Sequence, residues 1–290
     1  MQGGHDGAWS AFRMAGGRSS GDIRPVGMKM ERIALFVALA MALFSSMAGA
    51  MSREEEAEIN RAGLLIEERR PAEALALLEP LLAANPDLPG LRYQAALAAQ
   101  MTGDSAKASK LAADALDRGE ESSELRILIG VIAMKEKKYA EARLAFEKAV
   151  ELEPSNSIAL YNLSEALREQ GRPREAIEML QRAKEIDPKR KLLALKIRLA
   201  QLEAGENLEE IKLGVITRQS EDEQTEDWLM TAAAVHLLDG NYRQAIAALR
   251  AAQSAMGVTQ VRAVFSDDHF FRQFANDKRM KDLRAEIGLD

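Results

Sequence analysis

The chain has 290 residues, a formal charge of −6, 47% hydrophobic, 29% charged and 5% aromatic residues, and no cysteine. The missing cysteine excludes a disulfide scaffold, thiolate zinc sites and a cysteine nucleophile. The acidic balance leaves no positive excess to neutralise phosphates, which argues against generic nucleic-acid binding, and few aromatics beside abundant Ala, Leu, Glu and Arg point to helices.

Residues 1–27 are rich in Gly, Ser and polar residues without periodicity, and read as an upstream extension ahead of a start at Met28 or Met30. Lys29 and Arg32 then precede an unbroken apolar run from Ile33 to Phe44, followed by small residues up to Ala48 and Ala50. That order is the layout of a secretory signal over 28–50, with cleavage expected after Ala50 and a periplasmic or secreted product. The run is short for a membrane span, which needs ~20 apolar residues; an uncleaved inner-membrane anchor is the alternative. A lipoprotein signal needs a cysteine directly after it, so no lipid anchor is expected. Removing residues 1–50, which carry five basic and three acidic residues, moves the charge from −6 to −8.

From residue 51 onward the sequence repeats. Ala74, Ala108, Ala142 and Ala176 stand 34 residues apart. In the same register lie a small residue (Ala62, Ala96, Gly130, Ser164), a second packing residue (Leu81, Ala115, Ala149, Ala183) and a proline (Pro86, Pro154, Pro188), replaced in one unit by Glu120 after Gly119. Pro71, Gly103, and Gly171 with Pro173 break three of the units in the middle; the third unit has no such residue. The reading is two helices per unit, A and B, drawn together by their small residues and ended by proline. One unit cannot bury its apolar face alone, so units stack.

This pattern resembles the tetratricopeptide repeat. It implies an all-α, right-handed solenoid of antiparallel helix pairs, with units at 55–88, 89–122, 123–156 and 157–190. The register returns at Ala245 for a unit over 226–259. A degenerate unit is expected at 191–225, since Glu210 and Gly214 replace its packing residues; its second helix is placed near 207–218, followed by a loop. That unit is the expected hinge, with a linker between two blocks as the rival reading. Residues 260–290 read as a Phe-rich helical cap, as solenoid ends require, with a second piece carrying Met280, Leu283 and Ile287. A free aromatic arm is the alternative.

Nothing in the sequence argues for an enzyme, a cofactor or a metal. His236 falls at a packing position, His269 sits in the aromatic tail, and no histidine has a second one four residues on. Runs such as Glu54–Glu56 read as solvated surface. Phosphate-loop, dinucleotide and nucleophile-elbow motifs are absent.

The resemblance implies instead a concave groove lined by positions 2, 5, 9, 12 and 13 of each helix A. The partner-binding candidates are Tyr93, Leu97, Gln100 and Met101; Ile127, Val131 and Met134, with Lys135; and Tyr161, Glu165 and Arg168, flanked by Ile158 and Glu169. Leu195, Leu199 and Leu202 follow in the next unit. The family's clamp for acidic C-termini needs Lys and Asn at positions where these units hold other residues, so it is not expected. Tyrosines and methionines suit a peptide or helix of a partner protein with apolar anchors. The competing expectation is that these side chains pack against neighbouring helices or the chain's own tail. The functional expectation is an exported protein–protein interaction scaffold in envelope assembly or secretion, or, alternatively, a self-associating accessory protein.

Overall fold

The computed structural model describes residues 52–190, 192–218 and 226–274, with Asp277, Ala285 and Gly288. The expected signal segment, the loop expected after residue 218 and the expected helix through Met280, Leu283 and Ile287 lie outside them. The described residues form fourteen helices, and none is long and apolar enough to cross a membrane. They fall into two compact units, divided between Lys137 and Lys138.

The first unit holds α1 (Arg53–Glu67), α2 (Pro71–Ala84), α3 (Leu91–Thr102), α4 (Ser105–Asp117) and α5 (Ser123–Lys135). The second holds α6 (Tyr139–Leu152), α7 (Ser157–Glu169), α8 (Pro173–Ile186), α9 (Leu193–Ala204), α10 (Leu208–Arg218), α11 (Glu226–Leu238), α12 (Tyr242–Met256), α13 (Val258–Asp267) and α14 (His269–Arg272). Helix starts follow local chemistry. Ser52 and Glu55 form a reciprocal capping box, Asp104, Ser122 and Asn156 accept from the free first-turn amides, and Pro71 and Pro173 occupy first positions where no amide is needed.

The repeat register is visible in the packing. Ala74, Ala108, Ala142, Ala176 and Ala245 are all fully buried, and so are Ala62, Ala96 and Ser164 across from them. A larger side chain at any of these places would push two helices apart in a close-packed interior. Leu78, Ala112, Phe146 and Leu180 complete the contacts from helix B.

The turn between helices A and B has one geometry throughout. Its fifteenth repeat position takes a positive φ in every unit: Arg69 61°, Gly103 90°, Lys137 59°, Gly171 70°, Gly205 68° and Gly240 72°. The amide of the next residue reaches back five positions, as from Asp104 to the Ala99 carbonyl at 3.0 Å and from Arg172 to Leu167 at 2.9 Å, closing the orphan carbonyls of helix A. The third unit, without a glycine or proline there, makes the same left-handed turn with Lys137.

The unit without its proline also has a substitute. Glu120 accepts from the Gly90 amide at 2.9 Å and from Arg92 at 3.1 Å. Arg92 is itself buried, and its guanidinium also meets Asp114 and the Pro86 carbonyl.

The described helices of the degenerate repeat share one core with their neighbours, while the loop expected after them lies outside the described residues. Leu195, Leu199 and Leu202 of α9, Val215 of α10 and Trp228 and Leu229 of α11 belong to one apolar cluster. The Trp228 indole donates to the Gly214 carbonyl at 3.4 Å. The division into compact units falls instead at the Lys137 turn.

Candidate functional site

The candidate face consists of groove positions on successive A helices, described separately for each compact unit. In the first unit, Tyr93, Leu97, Gln100 and Met101 lie on α3, and Ile127, Val131, Met134 and Lys135 on α5. Gln100, Ile127 and Val131 are buried. This corrects their expected role, because side chains within the helix packing offer no surface to a partner. Tyr93 and Leu97 are half-buried against the cluster of Ala96, Ala108, Ala112, Leu128 and Ile132, and burial, with the nearby Glu124 charge adding to it, pushes the Tyr93 hydroxyl pKa up. Met101 and Met134 are half-buried and Lys135 exposed, its ammonium donating to the Gln100 carbonyl at 3.4 Å. What this face offers is a mostly apolar strip with two adaptable thioethers and one cation at its edge.

In the second unit the face is built differently. Arg168, expected to reach a partner, has no exposed surface. Its guanidinium donates to Asp268 at 2.8 and 3.0 Å, to Glu203 at 2.7 and 2.9 Å and to Glu165 at 3.2 Å. Lys196 supplies the second cation, 2.7 Å from Asp268 and 2.9 Å from Glu165. Asp268 comes from the C-terminal segment and is 1% exposed. It also caps α14, accepting from the Phe270 amide at 2.9 Å. The segment therefore lies on the A-helix face of α7 and α9, at groove positions of two consecutive repeats. His269 Nδ1 stands 3.1 Å from Glu203, and Arg272 pairs with Glu169.

The electrostatics follow from this enclosure. Burial opposes the charged form of Asp268, but Arg168 and Lys196 outweigh it and hold the carboxyl far below its ordinary range. Burial likewise works against Lys196, and Asp268 and Glu165 overcome it, pushing the ammonium up. Glu203 is held low against its own burial by Arg168 and His269. Tyr161 is half-buried beside them, with the Arg190 guanidinium 4.4 Å and the Lys196 ammonium 5.8 Å from its ring centroid. A cation over an aromatic face is an attractive contact.

The aromatic tail follows the same segment. Phe265, Phe270 and Phe271 are 2% exposed or less and join the apolar cluster with Leu195, Leu199, Leu202, Val261 and Val264. Phe265 and Phe271 stack obliquely with centroids 5.1 Å apart, and Phe270 meets Phe271 edge-on at 5.4 Å. Among the described residues, α13 and α14 pack against the repeats through these phenylalanines, as a cap would.

Sequence reasoning found Tyr161, Glu165 and Arg168 but not Asp268, Lys196, Glu203 or Arg272. A signal was present. Lys196 stands inside the apolar run from Leu192 to Leu202, and a buried lysine needs a carboxylate. Its partner lies 72 positions away in sequence, where no helical period points to it. His236 is buried, and burial lowers its pKa. Among the described residues, no group of three or more His, Asp or Glu could hold a metal ion.

The comparisons agree with this architecture. Residues 65–132 and 133–199 match the tetratricopeptide repeat model, so this stretch carries tetratricopeptide repeats. No curated protein matches the chain. Among solved structures it is similar to PilW, described as a widely conserved type IV pilus biogenesis factor, at 17% identity and a TM-score of 0.57, covering 78% of this chain and all of that one. It is similar to pilF of Pseudomonas aeruginosa at 14% identity and a TM-score of 0.55, covering 77% and 97%. It is also similar to residues 41 to the end of MamA from Desulfovibrio magneticus RS-1, at 21% identity and a TM-score of 0.51, covering 60% and 100%. At these identities the likeness shows the fold.

Proposed function

We propose that this chain is an exported scaffold that binds a peptide or helix of a partner protein on the A-helix face of its repeats, in envelope assembly or secretion. Tetratricopeptide repeats serve as protein-interaction scaffolds, and the repeats here account for most of the described chain. The observation that best supports a peptide-binding face is in the second unit. There the groove positions of α7 and α9 already hold a segment of polypeptide, by ion pairs and by aromatic burial together. The face of the first unit, with Tyr93, Leu97, Met101 and Met134 half-buried beside exposed Lys135, has the composition to take an apolar-anchored segment. Export rests on the basic flank, apolar run and small residues of 28–50, and an envelope role is in keeping with the pilus biogenesis factor that shares the fold.

Crosslinking in the native cell, followed by identification of the linked proteins, tests the reading. Met101→Glu together with Met134→Glu should cut partner recovery at least tenfold while circular dichroism stays unchanged. Recovery equal to the parent chain would refute the face assignment. Mass spectrometry of the purified chain tests export: a first residue at Met51 supports it, and an intact N-terminus in the soluble cytoplasmic fraction refutes it.

A further inference from the structure

The segment lying on α7 and α9 matches that face residue by residue. Its acid, Asp268, meets Arg168 and Lys196. Its histidine, His269, meets Glu203. Its base, Arg272, meets Glu169. Between them Phe270 and Phe271 enter the apolar cluster beside Leu195 and Leu199. A cap that only shielded the end of an array would need apolar contacts and a polar outer face. Buried ion pairs are a poor way to gain stability, since apolar groups of similar shape do as well, and their best-attested use is to fix which sequence sits in which register. A buried acid held by two cations, with a half-buried histidine and base each meeting a carboxylate beside it, is thus the mark of a face that reads sequence.

The segment is also joined to the repeats in a way that sets it apart. Gly257, between α12 and α13, takes φ 89° and ψ 150°, a backbone region essentially restricted to glycine. From that joint, residues 258–272 return to α7, so that Asp268 meets a residue 100 positions earlier in the chain.

We propose that the α7–α9 face is a sequence-reading peptide site and that residues 268–272 are its resident ligand. The partner segment it takes is five residues long, an acid capping a short helix, with aromatics at its third and fourth positions and a base at its fifth. This rests on the interaction-scaffold reading and names the partner chemistry for one of its faces. A tethered ligand acts at an effective concentration in the millimolar range, so the resident segment holds off any partner that lacks the full pattern.

The test uses the full chain and a fluorescein-labelled peptide of residues 265–274, followed by fluorescence anisotropy. Asp268→Asn weakens the resident segment, and this variant should bind the peptide at least tenfold more tightly than the parent chain. A peptide with asparagine in place of its second aspartate should bind the same variant at least tenfold more weakly than the unaltered peptide. Should Asp268→Asn fail to fold, a chain with a protease site inserted after Gly257, folded and then cut, serves instead: the labelled peptide should exchange with the nicked segment, and the asparagine peptide should not. Absence of binding to both chains overturns the proposal, as does equal binding of the two peptides. Peptide silence with partner crosslinking intact sinks this inference alone. Peptide binding with partner crosslinking untouched by the methionine changes refutes the first-unit face and leaves this one standing.

Discussion

Asp268→Asn isolates the charge of one buried carboxylate. The substitution keeps the shape of the side chain and its ability to cap α14, because asparagine accepts from the Phe270 amide as aspartate does. What it removes is the negative end of two contacts from Arg168 at 2.8 and 3.0 Å and one from Lys196 at 2.7 Å. Removing one member of a buried ion pair costs about 3–5 kcal/mol. Glu165 remains beside both cations and Glu203 beside Arg168, so the low end, about 3 kcal/mol, applies. In a unit of this size each kcal/mol moves the midpoint by ~2–4 °C, giving a loss of ~6–12 °C in Tm. The loss should be local first, because array stability is not uniform along the chain. Hydrogen exchange of the α13 and α14 amides should therefore accelerate by two orders of magnitude while α1 to α5 exchange as before. Combining the change with Arg168→Met should give a coupling of roughly 2 kcal/mol, as groups within one network do. A single-variant cost below about 1 kcal/mol, or equal acceleration throughout, would refute the reasoning that this carboxylate anchors the segment.

Other consequences follow from the same interactions. Asp268 and Glu203 are held low in the folded chain by Arg168, with Lys196 and His269; their contribution is full above the unfolded carboxylate pKa of about 4 and is lost as pH falls toward the folded values. Exchange of α14 should thus accelerate between about pH 4 and pH 2, and Asp268→Asn should flatten that dependence. Lys137→Gly, at a φ of 59°, should stabilise by roughly 0.5–1 kcal/mol in urea titration, as relief of left-handed strain exceeds the added freedom of the unfolded glycine; a destabilised variant would contradict this. Glu120→Pro installs the residue that Pro86, Pro154 and Pro188 supply in three other units, yet should cost about 3 kcal/mol. It deletes the Glu120 amide bond to the Ala115 carbonyl at 2.9 Å and both carboxylate contacts, to Gly90 and Arg92.

The repeat architecture was readable in the sequence because each defining position is a local packing requirement. Ala74, Ala108, Ala142 and Ala176 are small since two helices cross there, and a fixed period carries that need along the chain. The cap was readable for the same reason, from four phenylalanines crowded at its end. The site was only half readable. A family register places Arg168 on the A-helix face but cannot say that a segment 100 residues later will cover it. Nor does composition distinguish Lys196, held between two carboxylates, from a surface lysine. At the degenerate repeat Gly214 reads as lost packing, and the core that Val215 shares with Trp228 and Leu229 of the next helix lies outside what the repeat's own period names.

In a linear array the last repeat frays most easily, since it has a neighbour on one side alone. Here residues 268–272 are tied back to α7, passing over the intervening repeat. The second unit is therefore a closed circuit in sequence: α12 and α13 cannot peel away without opening the network at Arg168. Closing a loop of 100 residues adds an entropic barrier that neighbour-to-neighbour stacking lacks. Helix pairs should consequently form early and in any order, and the clasp of Asp268 should come last. A ribosome-bound chain would have its repeats but not its clasp, leaving the α7–α9 face open during that interval.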